Sequence, residues 1–354
     1  MKKKATIVYS IKRSFVKSDI SILDALGFNV FEIQSKPDKR FLYFVLNRIK
    51  EKVKSILYIS RSRFLISWFN DYHSFIPILF SKLFFKKSII IVGGYDAIVD
   101  NKNKHGLFFK SGLRSLVAKM NYKMVSEVWV VHKSLENGCD FAKQKFNIIS
   151  GVRSFTKKKT IVIKEINTGY DARFWSYDEK IAKTGILTAA FFSDKRVIDI
   201  KGLKGFNKLA SFLPEINFTI VGESEISIID FIDLEPNVDV IGVQSKTQMK
   251  KLYQKNKFYF QGSRLEGLPN SLCEAMLCGC VPIGSRVFGI PDAIGNTGIL
   301  FDTENDLEKI VHFIKSDIGL ENFKKARKRI VQNFDISIRT EKIKKSILKW
   351  KLEY

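Results

Sequence analysis

The sequence is poor in cysteine, histidine and proline. Its 354 residues include four cysteines, four histidines and seven prolines. Four cysteines without a regular spacing do not form the framework of a disulfide-rich secreted domain, which indicates a reducing compartment. The histidines are scattered and show neither zincin nor zinc-finger spacing. We therefore expect no metal site, and nothing in the sequence calls for a cofactor.

Long hydrophobic runs are absent as well. The N-terminal Met-Lys-Lys-Lys is followed by seven uncharged residues before Lys12, which is too short for the apolar region of a signal peptide. The most apolar stretch, Phe75–Gly94, is interrupted by three lysines and predicts no transmembrane helix. It fits either a helix that lies on a membrane surface or a helix that covers a sheet.

Positive charge is abundant and unevenly distributed. The 60 Lys and Arg residues against 36 Asp and Glu residues give a net charge of +24. Residues 1–160 hold 31 basic and 11 acidic side chains, residues 161–320 hold 18 and 21, and residues 321–354 hold 11 and 4. Such a field attracts a nucleic acid, an anionic membrane or phosphorylated substrates. A codon bias towards lysine does not explain the near-neutral middle of the chain.

Short apolar strands alternate with helical patterns along the whole chain. This alternation predicts parallel sheets covered by helices on both faces. In the first half the predicted strands are Thr6–Tyr9, Asn29–Ile33, Ile56–Ile59, Ser88–Val92 and Glu127–Val131, with helices near 18–26, 72–86, 107–125 and 133–146. In the second half they are Ile186–Ala190, Asn217–Val221, Val238–Ile241, Lys257–Gln261, Val281–Ile283 and Gly298–Phe301, with helices near 202–212, 246–255 and 270–278.

The densest group of chemically suggestive residues is the segment Gln261–Gly284. A predicted strand ends at its start, a loop with glycine and proline follows, and a helix begins near Asn270 or Ser271. The free N–H groups and positive dipole end of a first helical turn favour a phosphate. Glu274 is expected in that first turn and Glu266 in the loop before it. A single glutamate of this kind is more commonly a cap or a surface charge, and only the combination indicates a site.

These residues resemble a known signature. The block that starts at Glu266 reads Glu-Gly-Leu-Pro-Asn-Ser-x-x-Glu-Ala-Met-x-x-Gly-x-Val-Pro-Ile. It is similar to the donor-site motif of retaining GT-B glycosyltransferases, the glycosyltransferase family 4 or group 1. Asn167-Thr-Gly-Tyr-Asp-x-x-x-Phe, Lys201-Gly202 and the strand that ends at Gly222 resemble three further family segments in order and spacing. The resemblance covers about residues 160–310.

The resemblance implies an α/β fold of the GT-B type, with two Rossmann-like, doubly wound parallel-sheet domains that face a central cleft. We expect an acceptor-side domain at 1–165, a linker at 166–178 and a donor domain at 179–334. In this fold the final helix, here 335–354, commonly packs back on the first domain.

The resemblance also implies roles for individual residues. Lys201 and Arg196 would contact the donor diphosphate, and Glu266 would hold donor sugar hydroxyls. The spacing between Arg196 and Lys201 is the same as that between the corresponding arginine and lysine of the family. The strand before Arg196, however, ends earlier than it does in the family. The expected nucleotide and donor contacts are Gly222, Gly267, Leu268, Asn270, Ser271 and Glu274, with Glu274 on the ribose.

The sequence signals for the acceptor site are weaker than those for the donor site. Gly94 and Asp96 follow one predicted strand and His132 follows another, so all three fall at strand ends. Asp96 could orient an acceptor hydroxyl or form a turn. A lone histidine such as His132 more often has a structural role.

The sequence therefore predicts a metal-independent retaining glycosyltransferase of the hexosyltransferase type. It would use a UDP-, GDP- or ADP-sugar and a glycan or lipid-linked acceptor in cell-surface polysaccharide biosynthesis. We expect a cytoplasmic protein held peripherally on the anionic inner face of the plasma membrane. The alternatives are a GT-B-fold sugar-nucleotide epimerase and a basic nucleic-acid-binding protein, although no specific nucleic-acid motif is present.

Overall fold

The structure, a computed structural model, describes residues 2–35, 40–156, 160–302 and 306–351. The chain divides into two compact units. Unit 1 contains the residues up to Gly169 and those from Arg339 onward, and unit 2 is Tyr170–Ile338. Within the described ranges, no helix has the length and apolar character needed to cross a bilayer. The last three residues of the expected C-terminal segment 335–354 lie outside these ranges.

Unit 1 is built on a six-stranded sheet in the order β2-β1-β3-β4-β6-β8. Every pairing in it is parallel, and most of its strand residues are buried apolar side chains. A small antiparallel pair, β5 with β7, lies beside it. The strands are β1 Lys3–Tyr9, β2 Phe28–Gln34, β3 Phe64–Trp68, β4 Lys87–Val92, β5 Ile98–Val99, β6 Glu127–Val130, β7 Ile149–Ser150 and β8 Val162–Glu165.

Helices connect the strands of unit 1. The connections from β2 to β3, β3 to β4 and β4 to β6 all run in one direction across the sheet. Right-handed crossovers therefore place α2, α3 and α4 on one face and α1 on the other. The helices are α1 Ser14–Ala25, α2 Phe41–Arg61, α3 Tyr72–Leu83, α4 Leu113–Met124, α5 Ser134–Asn137, α6 Asp140–Phe146 and α7 Val152–Phe155, with a 3₁₀ turn at Tyr95–Ala97.

One predicted strand of unit 1 is wrong. Ile56–Ile59 belongs to the last turns of α2, and the third strand of the sheet is β3, Phe64–Trp68. The four residues from Ile56 do not lie on one side: Ile59 is buried, while Ile56 and Leu57 are exposed. A run of four apolar residues occurs in long helices as well as in short strands, so periodicity alone cannot separate the two.

Unit 2 repeats the architecture with a six-stranded parallel sheet in the order β11-β10-β9-β12-β13-β14. A cluster of buried residues, including Phe206, Phe218 and Phe260, fills the space between this sheet and its helices. All six strands predicted for this half are confirmed. They are β9 Thr184–Ala189, β10 Phe218–Glu223, β11 Val238–Gly242, β12 Asn256–Gln261, β13 Val281–Ser285 and β14 Ile299–Phe301.

The helices predicted for the second half are confirmed within one residue at each end. Among the described residues of this half, the helices are α8 Arg196–Ile200, α9 Leu203–Ser211, α10 Lys246–Lys255, α11 Asn270–Leu277, α12 Ile290–Ile294, α13 Leu307–Lys315, α14 Leu320–Phe334 and α15 Ile336–Leu348, with 3₁₀ turns at Ile228–Asp230 and Lys349–Lys351.

Unit 1 contains a buried ion pair between distant parts of the chain. Nε and Nη2 of Arg339, in α15, donate to the two Asp19 carboxylate oxygens of α1, each at 2.7 Å. Trp68 Nε1 donates to the same carboxylate at 2.9 Å, and Arg339 also donates to the carbonyls of Ile166 and Asn167. Because the polar atoms of the pair have these partners, the desolvation of two charges is compensated.

Replacing Arg339 by leucine leaves the Asp19 carboxylate buried without its cation. We expect Arg339→Leu to lower the free energy of unfolding by about 3–5 kcal/mol. Urea denaturation followed by tryptophan fluorescence measures the change.

The matched control is Lys2→Leu, which removes the exposed Lys2–Asp24 pair at 3.5 Å. An exposed pair contributes less than about 1 kcal/mol. Equal shifts of the denaturation midpoint in the two variants would contradict a special role for the buried pair.

Candidate functional site

Two neighbouring strands of unit 2 bring the central pair of the candidate site together. β9 and β12 are adjacent and parallel, so the segments that follow them leave the sheet at the same edge. Lys201, directly after α8, and Glu266, in the loop after β12, meet there as a partly buried ion pair between Lys201 Nζ and Glu266 Oε1. The structure therefore places in contact two residues that the sequence analysis assigned to the site from separate segments.

Two glycines allow this contact. Gly202 has a φ of +69°, and a Cβ on it would lie 2.2 Å from the carbonyl oxygen of Gly262. A side chain at position 202 would thus both strain the backbone and push the two loops apart. Arg264 N donates to the Ile200 carbonyl at 2.8 Å and closes the same junction.

Further polar groups hold the Glu266 carboxylate. Gln261 Nε2 donates to Ser263 Oγ at 2.6 Å and to Glu266 Oε1 at 3.1 Å, and Ser263 Oγ lies 3.2 Å from Glu266 Oε1. Ser285 in turn donates to the Ser263 carbonyl at 2.6 Å. Gln261 Oε1 is buried and accepts no hydrogen bond from the described residues. Sequence reasoning missed Gln261 and Ser263 as site residues, although both lie in the segment it singled out.

The start of α11 lies in the same loop system. Pro269 precedes the helix in an extended conformation, so the helix begins at Asn270. The Tyr170 hydroxyl donates to Asn270 Oδ1 at 3.0 Å, and Ser271 hydrogen-bonds the buried Tyr259 hydroxyl. The first N–H groups of the helix have no acceptor within it.

Gly267 and Leu268, which were also predicted to contact the nucleotide-sugar donor, lie in the loop before α11. Leu268 is buried, and the Gly267 carbonyl accepts from Gly289 N at 3.0 Å. These contacts join the loop to the segment that precedes α12. The loop backbone is thereby fixed next to the Glu266 carboxylate.

Glu274 is the fifth residue of α11, so it lies in the second turn and not in the first, as the sequence analysis expected. The helix begins where the sequence predicts, but a turn holds only about 3.6 residues, so a residue four positions after Asn270 already belongs to the second turn. Burial raises the pKa of Glu274 to about 8, and the positive charge of Lys246 opposes the shift. At neutral pH the group is therefore mostly a neutral carboxyl that can donate a hydrogen bond.

Arg196 and Gly222 have well-defined local roles. Arg196, the first residue of α8, is held by Asp194 in a two-point ion pair with distances of 2.8 and 2.7 Å, on an exposed surface. Gly222, at the end of β10, has a φ of +120°, and a Cβ on it would lie 2.1 Å from the Ala190 carbonyl oxygen. Gly222 is thus required by the close approach of the chain after β9.

The acceptor-side candidates lie at the carboxyl ends of β4 and β6 in unit 1. Asp96 is fully buried, and its carboxylate accepts from the amides of Gly93, Gly94 and Asn70 at 2.9–3.1 Å. Burial raises its pKa to about 6 against these hydrogen bonds. This is the arrangement of a loop-forming aspartate. Gly94, with a φ of +144°, is part of the same loop.

His132 follows β6 and is also buried. Its Nδ1 lies 2.8 Å from Ser134 Oγ and 3.3 Å from the Ser134 amide, which fixes the ring at the start of α5.

One polar cluster on the same edge of unit 1 was missed from the sequence. Arg114, in the first turn of α4, forms a two-point ion pair with Asp71, which follows β3, and Asp71 raises the pKa of the guanidinium. The rings of Tyr72 and Tyr95 lie 5.9 and 5.6 Å from the Arg114 guanidinium carbon. The missed strand β3 explains the omission, because only that strand marks Asp71 as a strand-end residue.

The two parallel-sheet units define an α/β protein with the GT-B fold. Two solved structures share this architecture over almost the whole chain. Alr3699/HepE of Anabaena, in complex with UDP, aligns with a TM-score of 0.68 at 12% identity, covering 98% of this chain and 100% of that one. Sucrose-phosphate synthase of Thermosynechococcus elongatus aligns with a TM-score of 0.71 at 13% identity, covering 99% and 100%.

The resemblance to group 1 glycosyltransferases seen in the sequence is confirmed. Residues 188–334, which lie within unit 2, match the family Glycosyl transferases group 1. The phosphatidylinositol N-acetylglucosaminyltransferase gpi3 subunit of Schizosaccharomyces pombe is 26% identical over 146 residues, which cover 38% of this chain and 32% of that protein. The match thus spans about a third of this relative.

The raised pKa of Glu274 has a consequence for stability. Between about pH 5 and 8 the folded chain keeps a proton on Glu274 that the unfolded chain has released, so the free energy of unfolding falls as the pH rises. We expect Glu274→Gln, which cannot ionise, to flatten this decline and to be the more stable protein at pH 8. Thermal unfolding midpoints at pH 5, 6.5 and 8 measure the effect.

The control is Glu308→Gln, a change at an exposed glutamate of α13. It should keep the wild-type pH dependence. A decline in Glu274→Gln as steep as in the wild type would show that another group is responsible.

Proposed function

We propose that this protein is a retaining glycosyltransferase that moves a sugar from a nucleotide-sugar donor to a glycan or lipid-linked acceptor in cell-surface polysaccharide biosynthesis. The observation that carries the proposal is the Lys201–Glu266 pair beside the start of α11. The family match of residues 188–334 supports it.

The proposed reaction develops opposite charges at the two sides of the breaking bond. When the anomeric C–O bond breaks, negative charge grows on the leaving nucleoside diphosphate and positive charge on the sugar. The Lys201 ammonium has three N–H donors, and the contact with Glu266 uses one of them. The others, together with the first amides of α11, would stabilise the diphosphate without a metal ion.

A second cation is available at the start of α8. Arg196 would reach a phosphate by exchanging the Asp194 carboxylate for it, since both are bound by the same guanidinium fork. Because the ion pair is exposed, this exchange has a small energetic cost.

The carboxyl groups would recognise the uncharged parts of the donor. Glu266 Oε1 is occupied by Lys201, Gln261 and Ser263, so Oε2 is the oxygen we assign to the donor sugar hydroxyls. Glu274, neutral at pH 7, would hydrogen-bond the ribose. Gly222, Gly267 and Leu268 would allow the nucleotide and the sugar to approach the backbone.

Retention at the anomeric carbon is proposed to follow from attack on the face that the diphosphate leaves. The leaving phosphate would take the proton of the acceptor hydroxyl. In this scheme Glu266 orients the sugar and does not form a covalent bond, in contrast to the nucleophilic carboxylate of retaining glycosidases.

The lipid-linked acceptor and the membrane are supported by two observations. The Schizosaccharomyces pombe relative is a subunit of a phosphatidylinositol N-acetylglucosaminyltransferase. The basic first 160 residues and the basic last 34 would attract an anionic cytoplasmic membrane face. Acceptor contacts by Gly94, Asp96 and His132 stay predictions, and the buried positions of Asp96 and His132 favour indirect roles for these two.

Removing Glu266 tests the proposal directly. We expect Glu266→Ala to reduce sugar transfer by at least about 10²–10³-fold, as for the loss of a group that acts on the transition state, while the circular dichroism spectrum is unchanged. Transfer is measured with a radiolabelled nucleotide sugar and a membrane extract as acceptor.

The matched control is Glu215→Ala, which removes a half-exposed glutamate of unit 2 that pairs with Lys315. It should transfer sugar at the wild-type rate. Near wild-type turnover by Glu266→Ala would overturn the site assignment.

The donor is identified by thermal shift with UDP-, GDP- and ADP-sugars. We begin with UDP-sugars, because the similar Anabaena structure is a complex with UDP. One nucleotide should raise the unfolding temperature, and Lys201→Ala should abolish the rise. If no nucleotide sugar stabilises the protein, the glycosyltransferase proposal fails.

A further inference from the structure

The solvent-facing side of α2 is a continuous apolar surface. Six of its aliphatic side chains are between 42% and 66% exposed. At 100° per residue they fall within an arc of about 100°, so they form one stripe along the helix. We call this stripe the α2 apolar face: Leu42, Leu46, Ile49, Val53, Ile56 and Leu57.

Several polar residues of α2 lie on the opposite side, against the body of unit 1. Arg48 pairs with Glu51, and Arg48 also donates to Ser35 Oγ at 2.6 Å. Ser55 is fully buried and donates to the Glu51 carbonyl at 2.7 Å. α2 therefore buries polar side chains such as Ser55 and leaves an apolar stripe exposed, whereas an ordinary surface helix turns its apolar side to the core.

Exposed lysines border the α2 apolar face. Lys50 and Lys54 lie along one margin of the stripe and Lys52 along the other. With Arg48 and Arg61 against the single acid Glu51, the helix carries a net charge of +4. An apolar stripe bordered by lysines on both margins is the pattern of a helix that lies in a membrane interface.

The neighbouring helices extend this surface. α3 packs between α2 and α4, and all three lie on one face of the sheet. On α4, Leu113, Leu116 and Met120 are exposed one helical turn apart, next to the exposed Lys119 and Lys123. Phe85, which follows α3, is 88% exposed. The same helix layer thus presents apolar side chains and lysines beyond α2.

We propose that the α2 apolar face inserts into the headgroup region of an anionic membrane, with α2 parallel to the bilayer plane. This inference rests on the proposed function only in placing the acceptor at a membrane. A bilayer accommodates the six apolar side chains, while the flanking lysines reach anionic headgroups. A second copy of the chain fits less well, because an isologous contact through this face would bring the bordering lysines of both copies together.

The test replaces half of the α2 apolar face and keeps every charge. We expect Leu46→Ser/Val53→Ser/Leu57→Ser to bind vesicles of phosphatidylcholine with about 30% phosphatidylglycerol at least tenfold more weakly than the wild type, equivalent to about 1.4 kcal/mol. The three positions are exposed, so the circular dichroism spectrum should not change. Co-sedimentation measures the binding.

The matched control is Ile229→Ser/Phe231→Ser/Val243→Ser, which removes three exposed apolar side chains of unit 2. It should bind vesicles like the wild type. Wild-type binding should also persist in part at 0.5 M salt, because insertion, unlike attraction between exposed charges, is not screened.

A second readout does not depend on the folding of the triple variant. In the Val53→Trp variant, the emission of the introduced indole should shift to the blue with these vesicles and should be quenched by brominated lipid. Vesicle binding by the triple variant equal to that of the wild type would overturn the proposal, as would emission of the Val53→Trp variant that vesicles leave unchanged. So would a dimer of the wild type in light scattering that the triple variant converts to a monomer.

The outcome is separable from that of the proposed function. Thermal stabilisation by a nucleotide sugar is measured without vesicles and involves unit 2. A protein that binds donor but does not insert loses only the membrane inference. A protein that inserts but binds no donor loses only the enzymatic proposal.

Discussion

The close approach of two backbones, Gly202 against Gly262, is the constraint on which the candidate site depends. The sheet delivers the segments after β9 and β12 to the same edge, but only chain without a Cβ at position 202 can pass within contact of the Gly262 carbonyl. That passage sets Lys201 beside Glu266. The remaining groups then follow in order of dependence: Gln261 and Ser263 orient the carboxylate, and the loop leads directly into α11. The positions of the side chains in the candidate site therefore depend on this backbone contact.

The two units separate two kinds of electrostatics. In unit 2 the charges of the candidate site are few, partly buried and individually positioned, as stabilisation of a localised negative charge requires. In unit 1 the lysines of α2 and α4 are numerous and exposed, and act together as a field. Arg48 and Ser55 of α2 are directed towards the body of unit 1, and the apolar stripe of the helix is exposed. The net charge of +24 therefore does not show how the charges are arranged in either unit.

The sequence predicted the parallel sheet of unit 2 from its buried strands, and separate family segments singled out Lys201 and Glu266. The ion pair between these two side chains was not predicted. The prediction of secondary structure failed at α2, where an apolar stripe faces solvent. The strand predicted at Ile56–Ile59 lies in α2, whose exposed side is apolar, and the true strand β3 with Asp71 behind it was overlooked. The ionisation of Glu274 and the hydrogen bonds of Gln261 were also beyond prediction, because they arise from burial and loop geometry that no local pattern encodes. A local sequence pattern shows which face of a helix or strand is apolar, but it does not show whether that face is buried in the folded protein.

The ion pair between Asp19 and Arg339 also determines the order in which the chain can complete its folding. Unit 2 is one continuous segment, so nearly all of its contacts become available before synthesis reaches Arg339. Unit 1 begins first and finishes last, since its buried aspartate receives its cation 320 residues later. The residues of unit 1 that precede unit 2 therefore stay without one of their helices until the residues that follow unit 2 have been made. Over this interval they stay within the reach of chaperones.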